Sequence, residues 1–169
     1  MKLFNSLKLS LAAAALAVIT LGLASTPASA TTTVTTTFGV SATVQSTCLI
    51  SATALAFGTY TGVVDTATSQ VSITCTNTTP YNVALSPGLA TGATVTTRKM
   101  AGPSSSVLSY SLFSNSGMTT NWGQTTGTDT VTGTGNGVSQ GITVYGQIPA
   151  GQYVNPGSYA DTITASVIY

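Results

Sequence analysis

The sequence predicts an all-β chain folded as an antiparallel sandwich, and three observations carry that prediction. After residue 30 no stretch shows the 3.6-residue period of an amphipathic helix. Short runs rich in Thr, Val, Tyr and Ile, residue types that suit a pleated and half-buried surface, are separated by Gly, Pro, Asn and Ser punctuation. No helical segment lies between the runs to serve as a crossover, which a parallel sheet would require.

Before the first run, Lys2 and Lys8 precede an apolar stretch, Leu9 to Ala24, broken only by Ser10, Thr20 and Gly22. Pro27 and the small-x-small triplet Ala28-Ser29-Ala30 follow. The stretch is short for a membrane span and ends in a cleavage pattern, so residues 1–30 are expected to be a secretory signal peptide cut after Ala30. The remaining 139 residues have the length of one domain with its own core.

The first run of the mature chain is unusually long. Val34, Thr36, Phe38, Val40, Ala42 and Val44 share one face, and Thr33, Thr35, Thr37, Gly39, Ser41 and Thr43 the other. Twelve extended residues reach roughly 40 Å, more than an ordinary sandwich strand. The segment is therefore either one long first strand or a strand whose first part belongs outside its own domain. Cys48 and Cys75 are the two cysteines, and export implies an oxidising compartment, so they are expected to form a disulfide worth about 3 to 4 kcal/mol by the chain-entropy argument.

Strands are then expected at Val71–Cys75, at Tyr81–Leu85 before the turn Ser86-Pro87-Gly88, at Leu108–Phe113 and at Ile142–Ile148. Residues 114–141, rich in Gly, Thr, Ser and Asn around Trp122, are expected to be long hairpin connections or a flap. Gly133-Thr134-Gly135-Asn136-Gly137 has neither dinucleotide nor Walker spacing. The last run alternates Tyr159, Asp161, Ile163, Ala165, Val167 and Tyr169 against Ala160, Thr162, Thr164, Ser166 and Ile168. No strand follows it, although an Ig-type sandwich needs one there to cover its core. The expected fold is thus an incomplete Ig-like antiparallel β-sandwich lacking its last strand. A spare strand at the front and a missing one at the back fit donor-strand complementation, in which a partner's extended segment completes the open sheet.

Composition narrows the function by exclusion. The 169 residues carry four Lys+Arg, three Asp+Glu and no His, and 54 are Thr or Ser. General acid–base catalysis has almost no stock to draw on, since the only acids are Asp65, Asp129 and Asp161. A metal site lacks histidine ligands, and Arg98 and Lys99 alone make no basic patch for nucleic acid. Asp65 and Asp129 fall in loop-like stretches, Asp161 near the rim of the last strand, and Arg98-Lys99 is expected to be a solvated loop pair. Trp122 and Tyr60 are read as packing residues. No enzyme activity, cofactor, metal or small-molecule substrate is expected.

The block Val144-Tyr145-Gly146-Gln147-Ile148-Pro149-Ala150-Gly151-Gln152, followed by Pro156-Gly157-Ser158-Tyr159-Ala160-Asp161-Thr162-Ile163-Thr164, resembles the ending of the spore coat protein U domain family, the subunits of Csu-type archaic chaperone–usher pili. Gln147 stands where that family often has a basic residue. Cys48, Phe57-Gly58 with Tyr60, Ile73-Thr74-Cys75 with Asn77, Tyr110–Phe113 and Trp122-Gly123 are similar as well, so the resemblance spans nearly all of residues 31–169. It implies a six-stranded incomplete Ig-like subunit in residues 41–169 with a donor segment in residues 31–40. Val34, Thr36, Phe38 and Val40 would be donated, and Tyr159, Ile163, Ala165, Val167 and Tyr169 would edge the acceptor groove. The implied partners are a periplasmic Ig-like chaperone, an outer-membrane usher and copies of the chain itself, and the implied place is a pilus at the cell surface, serving attachment and biofilm. The alternative is a self-contained spore-coat or surface-coat domain that exchanges no strand.

Overall fold

Alternating sequence becomes strand here wherever a second strand is available to pair with it. The computed structural model describes residues 29–169, so the leader expected over residues 1–30 lies, but for its last two residues, outside the described part. The chain divides after Ser41. In the first unit, residues 29–41 are exposed throughout and belong to no strand, and the same holds for residues 42–47 that open the second. Val34, Phe38, Val40 and Val44 are each at least 85% exposed. The alternation over residues 33–44 is real in the sequence but is unpaired, and an extended segment without a neighbouring edge gains no ladder bonds to hold it as a strand.

The second unit holds eight strands: β1 Cys48–Ala52, β2 Asp65–Cys75, β3 Pro80–Leu85, β4 Arg98–Ala101, β5 Val107–Phe113, β6 Val131–Thr134, β7 Gln140–Ile148 and β8 Ala165–Ile168. One sheet runs β1-β2-β7-β5-β4 and the other β6-β3-β8, with every pairing antiparallel. Apart from one short 3₁₀ turn at Pro103–Ser105 the described residues contain no helix, and the fold is an all-β, Ig-like sandwich. It has more than the six strands implied by the resemblance. The additions are four-residue pieces, and β6 emerges from the Gly- and Thr-rich stretch 114–141, where composition concealed it.

The core forms where the alternating faces meet. Val71, Ile73 and Cys75 of β2 point inward, as do Tyr81, Val83 and Leu85 of β3, Leu108, Tyr110 and Leu112 of β5, and Val144 and Ile148 of β7. Burying each such aliphatic side chain favours folding by about 1.5 to 3 kcal/mol relative to exposure. Trp122 is fully buried, and its indole N–H donates to the Val83 carbonyl at 2.8 Å. It thereby ties the 114–141 stretch into the core, so this part of the chain is no loose flap. Cys48 and Cys75 form a disulfide between residues already paired across β1 and β2.

Arg98 corrects the sequence reading most sharply. It is a fully buried residue on β4 and no solvated loop residue. Its guanidinium donates to the carbonyls of Ser86 at 2.9 Å, Val95 at 2.7 Å, Leu85 at 3.1 Å and Trp122 at 2.7 Å. Five donors in a rigid fork suit such a cluster of diverging acceptors, and only that satisfaction makes the buried charge tolerable.

Candidate functional site

Between the chain that leaves β1 and the chain that enters β8, the sandwich is open. A cleft of about 410 Å³ there has buried core residues on its floor, among them Val71, Leu85, Leu112 and Val144. One wall comes from residues 52–57 and the other from residues 159–165. A second cleft of about 910 Å³ continues it past Leu55, Phe57, Met100 and Tyr159, which line both.

Neither wall is held in a ladder along its length. Thr53 exchanges bonds with Gln70, its N–H donating to the Gln70 carbonyl at 2.9 Å, and beyond it residues 54–62 pair with no strand. The Tyr60 hydroxyl anchors this wall from its far end, donating to the Pro149 carbonyl at 2.7 Å and accepting the Gln152 N–H at 3.2 Å. Phe57 leans edge-on against Tyr110, ring centroids 6.0 Å apart. On the other wall, Ala160 and Ala101 exchange two backbone bonds, and the Ser86 N–H donates to the Thr164 carbonyl at 3.0 Å.

Those few bonds define which backbone groups are free. Because Ser86 bonds to Thr164, the even-numbered residues of the last strand face β3, and the odd-numbered residues turn their N–H and C=O the other way. By the same logic Thr47–Thr76 and Thr53–Gln70 bond across β1 and β2, leaving the even-numbered residues of β1 with free backbone groups on its outer edge. β1 and β8 lie against each other at one end of the opening. The sandwich therefore presents two unpaired edges flanking an uncovered stretch of core.

Of the five acceptor residues expected from sequence, three lie along this opening. Tyr159, Ile163 and Ala165 line the cleft and are half-buried. Val167 shares their inward side on β8 but lies outside the cleft lining, and Tyr169 falls after β8 and is 58% exposed. The expected donor residues Val34, Thr36, Phe38 and Val40 are all exposed.

Sequence reasoning missed the polar centre of the cleft. Asp161 lines it, and its carboxylate accepts the Tyr110 hydroxyl at 2.7 Å, the Leu89 N–H at 2.9 Å and the Thr162 N–H at 2.8 Å. Gly88 makes room for it: a Cβ there would collide with the Asp161 carboxylate, and its φ of +92° is one that other residues rarely adopt. Burial, then the bond to Asp161, push the Tyr110 phenol well above its ordinary value, while burial lowers the Arg98 guanidinium. The only available signal was an aspartate on the inward side of an otherwise apolar alternation. Among the described residues there is no cluster of three or more metal-ligating side chains and no helix long and apolar enough to cross a membrane.

A family model, the Spore Coat Protein U domain, matches residues 34–166. No curated protein matches the chain significantly. Among solved structures it is similar to the crystal structure of the CsuC–CsuE chaperone–tip adhesion subunit pre-assembly complex from the archaic chaperone-usher Csu pili of Acinetobacter baumannii, with 26% identity and a TM-score of 0.57. The match covers 75% of this chain and 41% of that one, so the chain accounts for well under half of the solved chain's length.

Proposed function

The chain belongs to the Spore Coat Protein U domain family, and on that premise we propose that it is a structural subunit of a chaperone–usher surface pilus, polymerised by strand donation. In this reading residues 1–30 are removed on export, residues 31–40 are the donor segment, and residues 41–169 are the acceptor domain. A periplasmic Ig-like chaperone occupies the open cleft until an outer-membrane usher exchanges it for the donor of the next subunit. The resulting fibre serves adhesion and biofilm formation at the cell surface.

The observation that carries the reading is the pairing of two unsatisfied features. The core is open between two unpaired edges, and the segment over residues 31–44 is exposed, alternating in sequence and paired with no strand. Inserting that segment into the cleft of another copy supplies backbone bonds to both edges and covers the floor. Because the donor and the cleft are different surfaces of one chain, the contact does not close on itself and propagates into a filament. Relatedness to a subunit solved in complex with its chaperone supports the proposed first partner.

Deleting residues 31–40 tests it. The expected product is a subunit that is exported and chaperone-bound yet absent from fibres. Fibres of normal length from the deletion, or a stable monomer that needs no chaperone, would instead indicate a self-contained coat domain.

A further inference from the structure

We propose that Asp161 sets the register of the incoming strand by accepting a hydrogen bond from Thr36 of the next copy, an inference that rests on the strand-donation reading above. Asp161 is the one charged residue among those lining the cleft. A carboxylate offers about four acceptor positions. Asp161 Oδ1 takes the N–H groups of Leu89 and Thr162, and Oδ2 takes the Tyr110 hydroxyl, so Oδ2 keeps one position unfilled. Gly88 and Tyr110 hold the group in place from behind.

The donor segment contains the complementary exception. Its cleft-facing side reads Val34, Thr36, Phe38, Val40, and Thr36 is the one member with a hydroxyl to give. A two-residue slip would keep the same side inward. It would, however, lay Val34 or Phe38 over the carboxylate, taking a charge out of water without replacing its hydrogen bond. Backbone ladder bonds alone do not distinguish these registers, whereas one polar pair among apolar contacts does, in the way a buried polar residue fixes register elsewhere.

Cleft dimensions orient the strand as well. The larger cavity, about 910 Å³, adjoins Tyr159, and the smaller, about 410 Å³, extends to Ile163 and Ala165. With Thr36 at Asp161, an antiparallel donor brings Phe38 to the Tyr159 end and Val34 to Ile163. The largest side chain thus enters the larger space.

The test uses the exported chain purified from periplasm with its chaperone, which a labelled synthetic peptide of residues 31–44 in excess displaces, and release of the bound peptide is the readout. Thr36→Val in the peptide is expected to speed release about tenfold, the loss expected for a hydrogen bond to a charged acceptor. Thr36→Ser is expected to stay within about twofold of wild type. In the Asp161→Ala chain the wild-type and Thr36→Val peptides should leave at equal rates; should that chain not fold, the peptide series decides by itself. A Thr36→Val peptide held as long as wild type, or one that leaves faster from both chains alike, overturns the role of Asp161 while strand donation stands. A wild-type peptide that is not retained at all overturns strand donation, and the Asp161 proposal with it.

Discussion

Arg98 and Tyr110 are the residues on which the open side of the sandwich rests. Arg98→Lys keeps the charge but replaces the fork with a point donor, leaving at least one of the four carbonyls unbonded in the interior. We expect a loss of about 2 to 4 kcal/mol, read as a lower urea midpoint at unchanged slope. Tyr110→Phe removes the hydroxyl that Asp161 accepts and is expected to cost about 1 kcal/mol at neutral pH. It also changes the alkaline limb. The folded phenol keeps its proton where the unfolded one, with its ordinary value of 10.0, releases it. Its contribution is therefore complete below pH 10 and is lost as pH rises beyond that. The Arg98 guanidinium, lowered by burial, works in the opposite sense. Stability of the native chain should fall above pH 10, and in Tyr110→Phe that fall should be shallower in urea titrations from pH 8 to 11. Neither residue's role was legible in the sequence. A lone Arg-Lys pair in a chain of so few charges reads as solvent-facing, because the carbonyls that receive Arg98 come from Leu85, Ser86, Val95 and Trp122, gathered only by the fold.

The strands themselves were easier to read than their ends. β2, β3, β5 and β7 have period-2 burial that matches their apolar alternation, and the expected runs at residues 71–75, 81–85, 108–113 and 142–148 all lie within or on them. Pairing decided the rest. The run from Ser158 to Tyr169 alternates continuously, but its backbone changes neighbours, from Ala101 at Ala160 to β3 at Ala165–Ile168, and only the latter part counts as strand. Where β7 stops, a side chain takes over. Ser111 faces Gln147, so Ser109 would face Pro149, which has no N–H to give. Gln152 fills the vacancy: its Oε1 accepts the Ser109 N–H at 2.8 Å and its Nε2 donates to the Ser109 carbonyl at 2.9 Å. The Pro149-Ala150-Gly151-Gln152 block therefore acts as a ladder ending, and Gln152→Ala should cost about 1 to 2 kcal/mol and speed hydrogen exchange at Ser109 first. Gly146, on β7 beneath the cleft wall, is limited by space: a Cβ would come within 2.8 Å of Phe57 and 2.9 Å of Leu55. Gly146→Ala should displace that wall, costing about 1 to 3 kcal/mol and slowing uptake of a donor peptide.

At the scale of the whole molecule, the scarcity of charge and the open cleft belong together. Exposed strand edges are commonly guarded by lysines, prolines or inward-pointing charges. In the described residues the edges beside the cleft carry no lysine or proline and a single inward-pointing charge, Asp161, and the exposed segment over residues 31–44 has no charged side chain. A chain so built gains little by remaining alone. Covering Val34, Phe38 and Val40 in another copy would stabilise the contact by about 1.5 to 3 kcal/mol per side chain before ordering costs. That gain should be separable from folding of the acceptor itself, which is held by the core and by the Cys48–Cys75 bridge. Replacing both cysteines by serine is expected to lower acceptor stability by about 2 to 4 kcal/mol while leaving donor release from already assembled fibres unchanged, because neither Cys48 nor Cys75 lines the cleft. Replacing Phe38 by alanine should do the reverse: unfolding of the isolated subunit stays as it was, since the side chain is exposed there, and fibres dissociate in denaturant at least tenfold faster. Measuring subunit unfolding and fibre dissociation side by side on the two variants checks this. If Phe38→Ala lowers subunit stability without touching fibre dissociation, the segment serves its own domain and the strand-donation reading fails.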